Sequence, residues 1–319
     1  MAFPNRHTLG LALGSGAARG MAHIGVLKVL EEHHITIDRI SGTSIGALIG
    51  GLYAARVPIA QIEEVACGVD WRDLTRLVDP IFPTSGIIDG KKVARFIAEL
   101  LPVRRFEELH IPLAITATDV ESGEPLYIHQ GNLLEGLRAA IAFPGIFTPV
   151  RFGDRFLVDG GLCNPVPVDI LRELGAERVI GVCAIPDLRP QCFETVLSPE
   201  AFDKPVKGSL RNLFTVEGFE RRFRDLWSGA DLEPKGSVEN SVNGRKPPGI
   251  FKIFAQSIAI MENQINELRL AQNHIDLLLR PQFPGLNLFE FHRAEEAIRA
   301  GEEVTRTHLD EIRALARID

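Results

Sequence analysis

Thr8-Leu9-Gly10-Leu11-Ala12-Leu13 runs directly into Gly14-Ser15-Gly16-Ala17-Ala18-Arg19-Gly20. The apolar run reads as a buried strand and the glycine-rich run as a turn. A helix is expected from about Met21 to His33, because Ile24, Leu27, Val29 and Leu30 recur at helical spacing. Residues 35–41 read as a second strand, Gly42-Thr43-Ser44-Ile45-Gly46 as a sharp turn, and 45–55 as an apolar helix. Strand, glycine loop, helix, strand, turn, helix implies a parallel sheet covered by helices.

Working outward, 111–118 and 125–129 read as strands, and 132–142 as a helix that stops before Pro144. Residues 155–158 form a short strand leading into Asp159-Gly160-Gly161, and 178–184 another buried strand. Prolines at 186, 190, 199, 205, 234, 247 and 248 break the pattern. Residues 186–249 are therefore expected to be an insertion or lid-like flexible segment on a 7–185 core. Residues 250–319 are expected to complete the same domain. They begin with a helix over 250–271, with Phe254, Ile258, Met261, Ile265 and Leu268 on one face. A last strand from His274 to Arg280 and a charged helix over 293–317 follow.

The composition limits the function. With 45% hydrophobic and 24% charged residues the 319-residue chain has the balance of a globular protein with a real core. Its formal net charge of −7 argues against a nucleic-acid binder. Any membrane contact should be apolar or local. Cys67, Cys163, Cys183 and Cys192 show no C-x-x-C pairing, which suits a reducing, cytoplasmic setting. Leu9–Ala18 is a short glycine-rich run, and Ile45–Ala60 is interrupted by Arg56 and Pro58, so no membrane span is expected.

Three sequences carry chemistry. Gly42-Thr43-Ser44-Ile45-Gly46 is a G-x-S-x-G between a strand and a helix. Small flanking residues there let a serine project at a strained turn, under a helix N-terminus that favours negative charge. The bland reading is a tight turn with an incidental serine. Gly14 to Gly20 has Arg19 where a dinucleotide fingerprint needs glycine, and no Gly-Lys-Ser/Thr for a phosphate loop. It is either a plain turn or an oxyanion hole whose free amides, around Ser15, Gly16, Ala17, Ala18 and Arg19, face Ser44. Arg19 would then hold the shape of this loop or its neighbours. Asp159-Gly160-Gly161, taken alone, is most simply a turn. None of the nine histidines sits in a catalytic-loop context. His274, His292 and His308 follow the aspartate, but Ser44 comes unusually early for an ordinary α/β-hydrolase.

Taken together and in this order, the three motifs resemble those of the patatin-like phospholipases, most closely their bacterial cytosolic branch. The resemblance covers about residues 8 to 184. It includes Arg138-Ala139-Ala140-Ile141-Ala142-Phe143-Pro144-Gly145, Leu162-Cys163-Asn164-Pro165-Val166-Pro167 and Asp276-Leu277-Leu278-Leu279-Arg280-Pro281. Ser15 and Ala17 stand where relatives often have glycine, and Ala140 where they often have serine; neither change removes a backbone amide.

The resemblance implies a three-layer α/β/α fold with a mainly parallel sheet. It also implies a Ser44–Asp159 dyad without histidine, an acyl-serine intermediate, and no metal or cofactor. The expected substrate is a phospholipid or lysophospholipid ester. A cytosolic carboxylesterase or thioesterase, or a silent lipid-sensing protein, are the rival readings. Leu213, Val216, Phe219, Phe223, Leu226 and Trp227 recur at helical spacing among arginines. Residues 210–227 are therefore either a peripheral membrane contact on the inner face of a membrane or a helix packed on the core or another subunit.

Overall fold

The first strand, β1 (Leu9–Leu13), is buried along its whole length, and its side chains serve two cores. Leu9, Leu11 and Leu13 point into the larger one, shared with α1 (Ala22–Glu32) and α2 (Ile45–Ala54). Ala12 points into the other, with Val166, Leu171 and Val179. That alternation is the period-two geometry of a strand buried on both faces, and it produces the three layers. The computed structural model describes residues 6–68, 88–185 and 250–316. The expected 186–249 insertion and the 210–227 stretch lie outside the described residues.

The remaining elements are β2 (Arg39–Thr43), α3 (Ile59–Gly68), α4 (Lys91–Leu100), β3 (Leu113–Asp119), β4 (Pro125–Ile128) and α5 (Leu133–Ala140). After them come β5 (Val150–Phe152), β6 (Arg155–Asp159), α6 (Val168–Glu173), β7 (Arg178–Val182), α7 (Ile250–Gln272), β8 (Leu277–Leu279), α8 (Ala294–Thr307) and α9 (Leu309–Ala316). The sheet order is β5-β6-β3-β2-β1-β7-β8, with β4 also paired to β3. β3, β2, β1, β7 and β8 run parallel. β4 and β6 are antiparallel to β3, and β5 to β6. The mainly parallel α/β/α sheet implied by the motifs is the one found.

Several expected boundaries move. The second strand begins at Arg39, not residue 35. Ile35 and Ile37 are buried, which is what the apolar pattern detects, but pairing starts only where Arg39 lies opposite Gly10. Ahead of it, the Asp38 carboxylate accepts the Leu9 N–H at 2.8 Å and closes the strand end. The expected C-terminal helix is two helices, α8 and α9, which meet at His308. The apolar face expected on α7 is only partly packed: Ile258 is buried and Ile265 half-buried, but the rest of it faces outward. Phe254, Met261 and Leu268 are exposed, whereas Ile258, Ala259, Glu262, Asn263 and Asn266 are buried. Among the described residues no helix is long and apolar enough to cross a membrane.

The C-terminal part is locked onto the first helix by two glycines. A methyl group on Gly25 of α1 would overlap the Ile298 carbonyl, and one on Gly301 of α8 would overlap the Ala22 carbonyl. The two backbones thus cross with no room for a side chain between them. Gly25→Ala should lower the unfolding free energy by about 1–3 kcal/mol, the usual effect of overpacking, despite alanine's better helix propensity. Denaturant unfolding checks this, and a gain in stability would refute so close a crossing.

Candidate active site

The sheet register brings the predicted residues together. Thr43, the last residue of β2, lies opposite Thr116 of β3, and the next β3 residue, Ala117, lies opposite Asp159 at the end of β6. Ser44 follows Thr43 directly, so one strand places the serine and the aspartate side by side. Ser44 Oγ donates to Asp159 Oδ2 at 2.6 Å.

The turn that presents Ser44 is strained in the expected way. Ser44 has φ 56° and ψ −126°, a conformation uncommon for a residue with a side chain. The glycines two residues either side make that turn feasible. A methyl group on Gly42 would lie 2.5 Å from Ala47 Cα, and one on Gly46 would overlap the Leu13 carbonyl oxygen. Below the turn, Ser41 Oγ donates to the Pro167 carbonyl at 2.6 Å and Thr43 Oγ1 to the Asn164 carbonyl at 2.8 Å. The segment after Asp159 is therefore held under the serine by side chains of β2.

Asp159 is buried at 2% exposure. Its Oδ1 accepts the Gly161 N–H at 2.8 Å, and Thr118 Oγ1 donates to its backbone carbonyl at 2.9 Å. Burial pushes its carboxyl up to about 6, while the hydrogen bonds from Ser44 and Gly161 pull it down. Gly160 and Gly161 form the short turn that lets this happen: Gly160 sits against the Thr116 carbonyl.

The loop from Gly14 to Gly20 is more specific than its sequence indicates. The Ser15 N–H bonds the Pro165 carbonyl, the Ala18 N–H the Leu288 carbonyl and the Arg19 N–H the Gly16 carbonyl. The amides of Gly16 and Ala17 carry no such bond among the described residues, and Ala17 lines the same cavity as Ser44. Three of the five candidate oxyanion amides are thus committed to the fold. Arg19 ties the loop to the C-terminal segment: its Nε donates to the Leu286 carbonyl at 2.8 Å. His23, one of the histidines outside any catalytic-loop context, holds the other end. Its buried ring bonds the Gly14 carbonyl through Nε2 at 2.7 Å, and burial lowers its pKa to about 4, so the ring is neutral. Gly14 N–H in turn bonds the Val182 carbonyl, and Gly20 packs against Ile45.

Ser44 and Asp159 open onto a cavity of about 240 Å³. Among the described residues, every other lining residue is apolar, including Leu48, Val93, Ile97, Ile141, Phe147 and Phe289. No spacing rule marked this cavity, because its walls come from α2, α4, the 141–147 turn and the C-terminal segment. Such a site can take a nucleophile's proton and shelter a hydrocarbon chain.

A further carboxyl reaches the site from α7. Glu262 is 8% exposed and packs over Gly161. Burial first, and the charge of Asp159 second, push it up to about 8.

A family model described as patatin-like phospholipase matches residues 11–172. An uncharacterized NTE family protein of Mycobacterium tuberculosis is 29% identical over 94% of this chain and 91% of its own. Patatin-like phospholipase domain-containing protein 6 of Homo sapiens is 33% identical over 55% of this chain and 13% of its own. The lysophospholipase nte1 of Aspergillus fumigatus is 28% identical over 96% of this chain and 18% of its own. The chain thus spans most of the mycobacterial relative and a small part of the two longer ones.

Proposed function

The chain belongs to the patatin-like phospholipase family, and from that footing we propose that it is a serine acyl hydrolase acting on phospholipid or lysophospholipid esters through a Ser44–Asp159 dyad. The observation that carries the proposal is the 2.6 Å hydrogen bond from Ser44 Oγ to a buried carboxylate at the wall of an apolar cavity. In the reaction, Asp159 Oδ2 takes the Ser44 proton as Oγ bonds the ester carbonyl carbon. The carbonyl electron pair moves onto oxygen, and the N–H groups of Gly16 and Ala17 receive that oxyanion. Collapse expels the alcohol, which takes the proton back from Asp159, and leaves an acyl-serine. Water, deprotonated by Asp159, then releases the fatty acid and restores Ser44.

A carboxylate near 6 is a better base at neutral pH than an ordinary aspartate and is still ionised there. The apolar lining supports the fatty acyl group as the part recognised, and the fungal relative's name, lysophospholipase, supports a lipid ester. The enzyme is proposed to work in the cytoplasm or at the inner face of a membrane.

A series of p-nitrophenyl esters tests the acyl part. Adding four methylenes, from acetyl to hexanoyl, should raise kcat/KM on the order of 10²-fold, because each buried methylene contributes about 0.8 kcal/mol. Equal rates across the series would show that the cavity is not an acyl site. Lysophospholipid and diacylphospholipid vesicles, assayed beside the soluble esters, then separate the lipid reading from that of a general esterase.

A further inference from the structure

Asp159 is not the only buried acid at this site. Glu262, from α7 and outside the family-matched residues 11–172, meets it over a single glycine. A methyl group on Gly161 would overlap Glu262 Oε1 and lie 3.2 Å from Asp159 Oδ1. Both carboxyls are nearly sealed from water, at 2% and 8% exposure.

Among the described residues, the surrounding ionisable groups leave the pair uncompensated. On the segment beneath, Cys163 donates its Sγ hydrogen to the Gly123 carbonyl. On α7 itself, Arg269 is turned to the Cys163 carbonyl, and Glu267 is paired with Arg280 from beyond β8. Cys183, after β7, takes its bond from Asn266. Asp159 is the charge that acts on Glu262.

We propose that Glu262 is a positioning residue of the hydrolytic site, acting through Asp159: the two carboxyls occupy one buried place, and the enzyme works while only one of them is charged. This rests on the dyad reading above. Two like charges beside each other in a dry site cannot both persist. With Glu262 protonated, Asp159 keeps the negative charge and its bond to Ser44. Ionising Glu262 drives the carboxylates apart. Burial, with the charge of Asp159, pushes the Glu262 carboxyl up to about 8, above Asp159, which burial pushes up to about 6. The working window lies between the two.

The second-order rate of Ser44 labelling by a fluorophosphonate, followed from pH 5 to 10, tests this. Wild type should show a rise near pH 6 and a fall near pH 8. Glu262→Gln, which keeps the shape and removes the ionisation, should keep the rise and lose the fall, labelling roughly tenfold faster than wild type at pH 9. A purely structural glutamate would change the rate at every pH alike. A wild-type profile without an upper limb overturns the proposal, whether or not the variant folds, and so does an upper limb that Glu262→Gln retains. Asp159→Asn separates the two readings: wild-type labelling in that variant would defeat the dyad itself.

Discussion

Ser44→Ala should abolish fluorophosphonate labelling and lower ester turnover by roughly 10⁴-fold or more, while the protein keeps its fold. The loss is large because, in the proposed reaction, one atom both forms the covalent bond and donates the proton. Without Oγ, Asp159 can still activate water, and the Gly16 and Ala17 amides can still receive an oxyanion, so a small residual rate is expected. The stability change should be small for reasons visible at the turn. The Ser44 side chain does not cap α2, and among the described residues its one hydrogen bond goes to Asp159. Alanine tolerates φ 56° no worse than serine does. Ser44→Gly should be equally inactive but more stable, by about 1 kcal/mol, because glycine relieves the strained turn. Intact-protein mass spectrometry after labelling, with thermal melting alongside, reads both effects. Labelling that survives in Ser44→Ala would place the nucleophile elsewhere.

What was legible in the sequence follows from where the constraint acts. The elbow could be read because its constraint is local. Gly42 and Gly46 are glycine since Ala47 and Leu13 leave no room for a side chain, and a one-residue serine turn must carry that signature. The parallel sheet was equally clear, since strands buried on both faces are continuous apolar runs.

The rest is decided by distant residues. Nothing in Gly14 to Gly20 tells which amides stay free. Pro165 and Leu288 decide it by claiming Ser15 and Ala18. Half of the β5–β6 hairpin leaves no signal in the sequence, because three residues, Val150–Phe152, are too few to set up an alternation. On α7 the apolar residues mark only part of the packed face, Ile258, since the rest of the inward face carries Glu262, Asn263 and Asn266. A glutamate on a helix reads as a solvent-facing residue, and only the packing of α7 on Gly161 makes it a buried one.

Asp159→Asn should lower turnover by about 10³-fold and, at pH 8, make the protein more stable than wild type. The sign follows from linkage. In the fold the carboxyl is raised from 3.8 to about 6, so the charged form is less favoured there than in the unfolded chain. Stability from this group is complete below about pH 3.8, declines as pH rises to 6, and stays reduced above that. The deficit on the alkaline side is about 3 kcal/mol. Asparagine carries no charge, so it escapes the deficit. Its amide can still accept the Gly161 N–H and donate to Ser44 Oγ, so both bonds survive in weaker, neutral form and offset part of the gain. The advantage should therefore be one to a few kcal/mol at pH 8 and vanish at pH 4, as read by denaturant unfolding at the two pH values. Such a result would mean that the wild-type sequence holds a charged base in a dry site against its own stability. A group that merely supported the fold would do the opposite: its loss would destabilise the protein at pH 8, and that outcome would remove the argument for Asp159 as a tuned base.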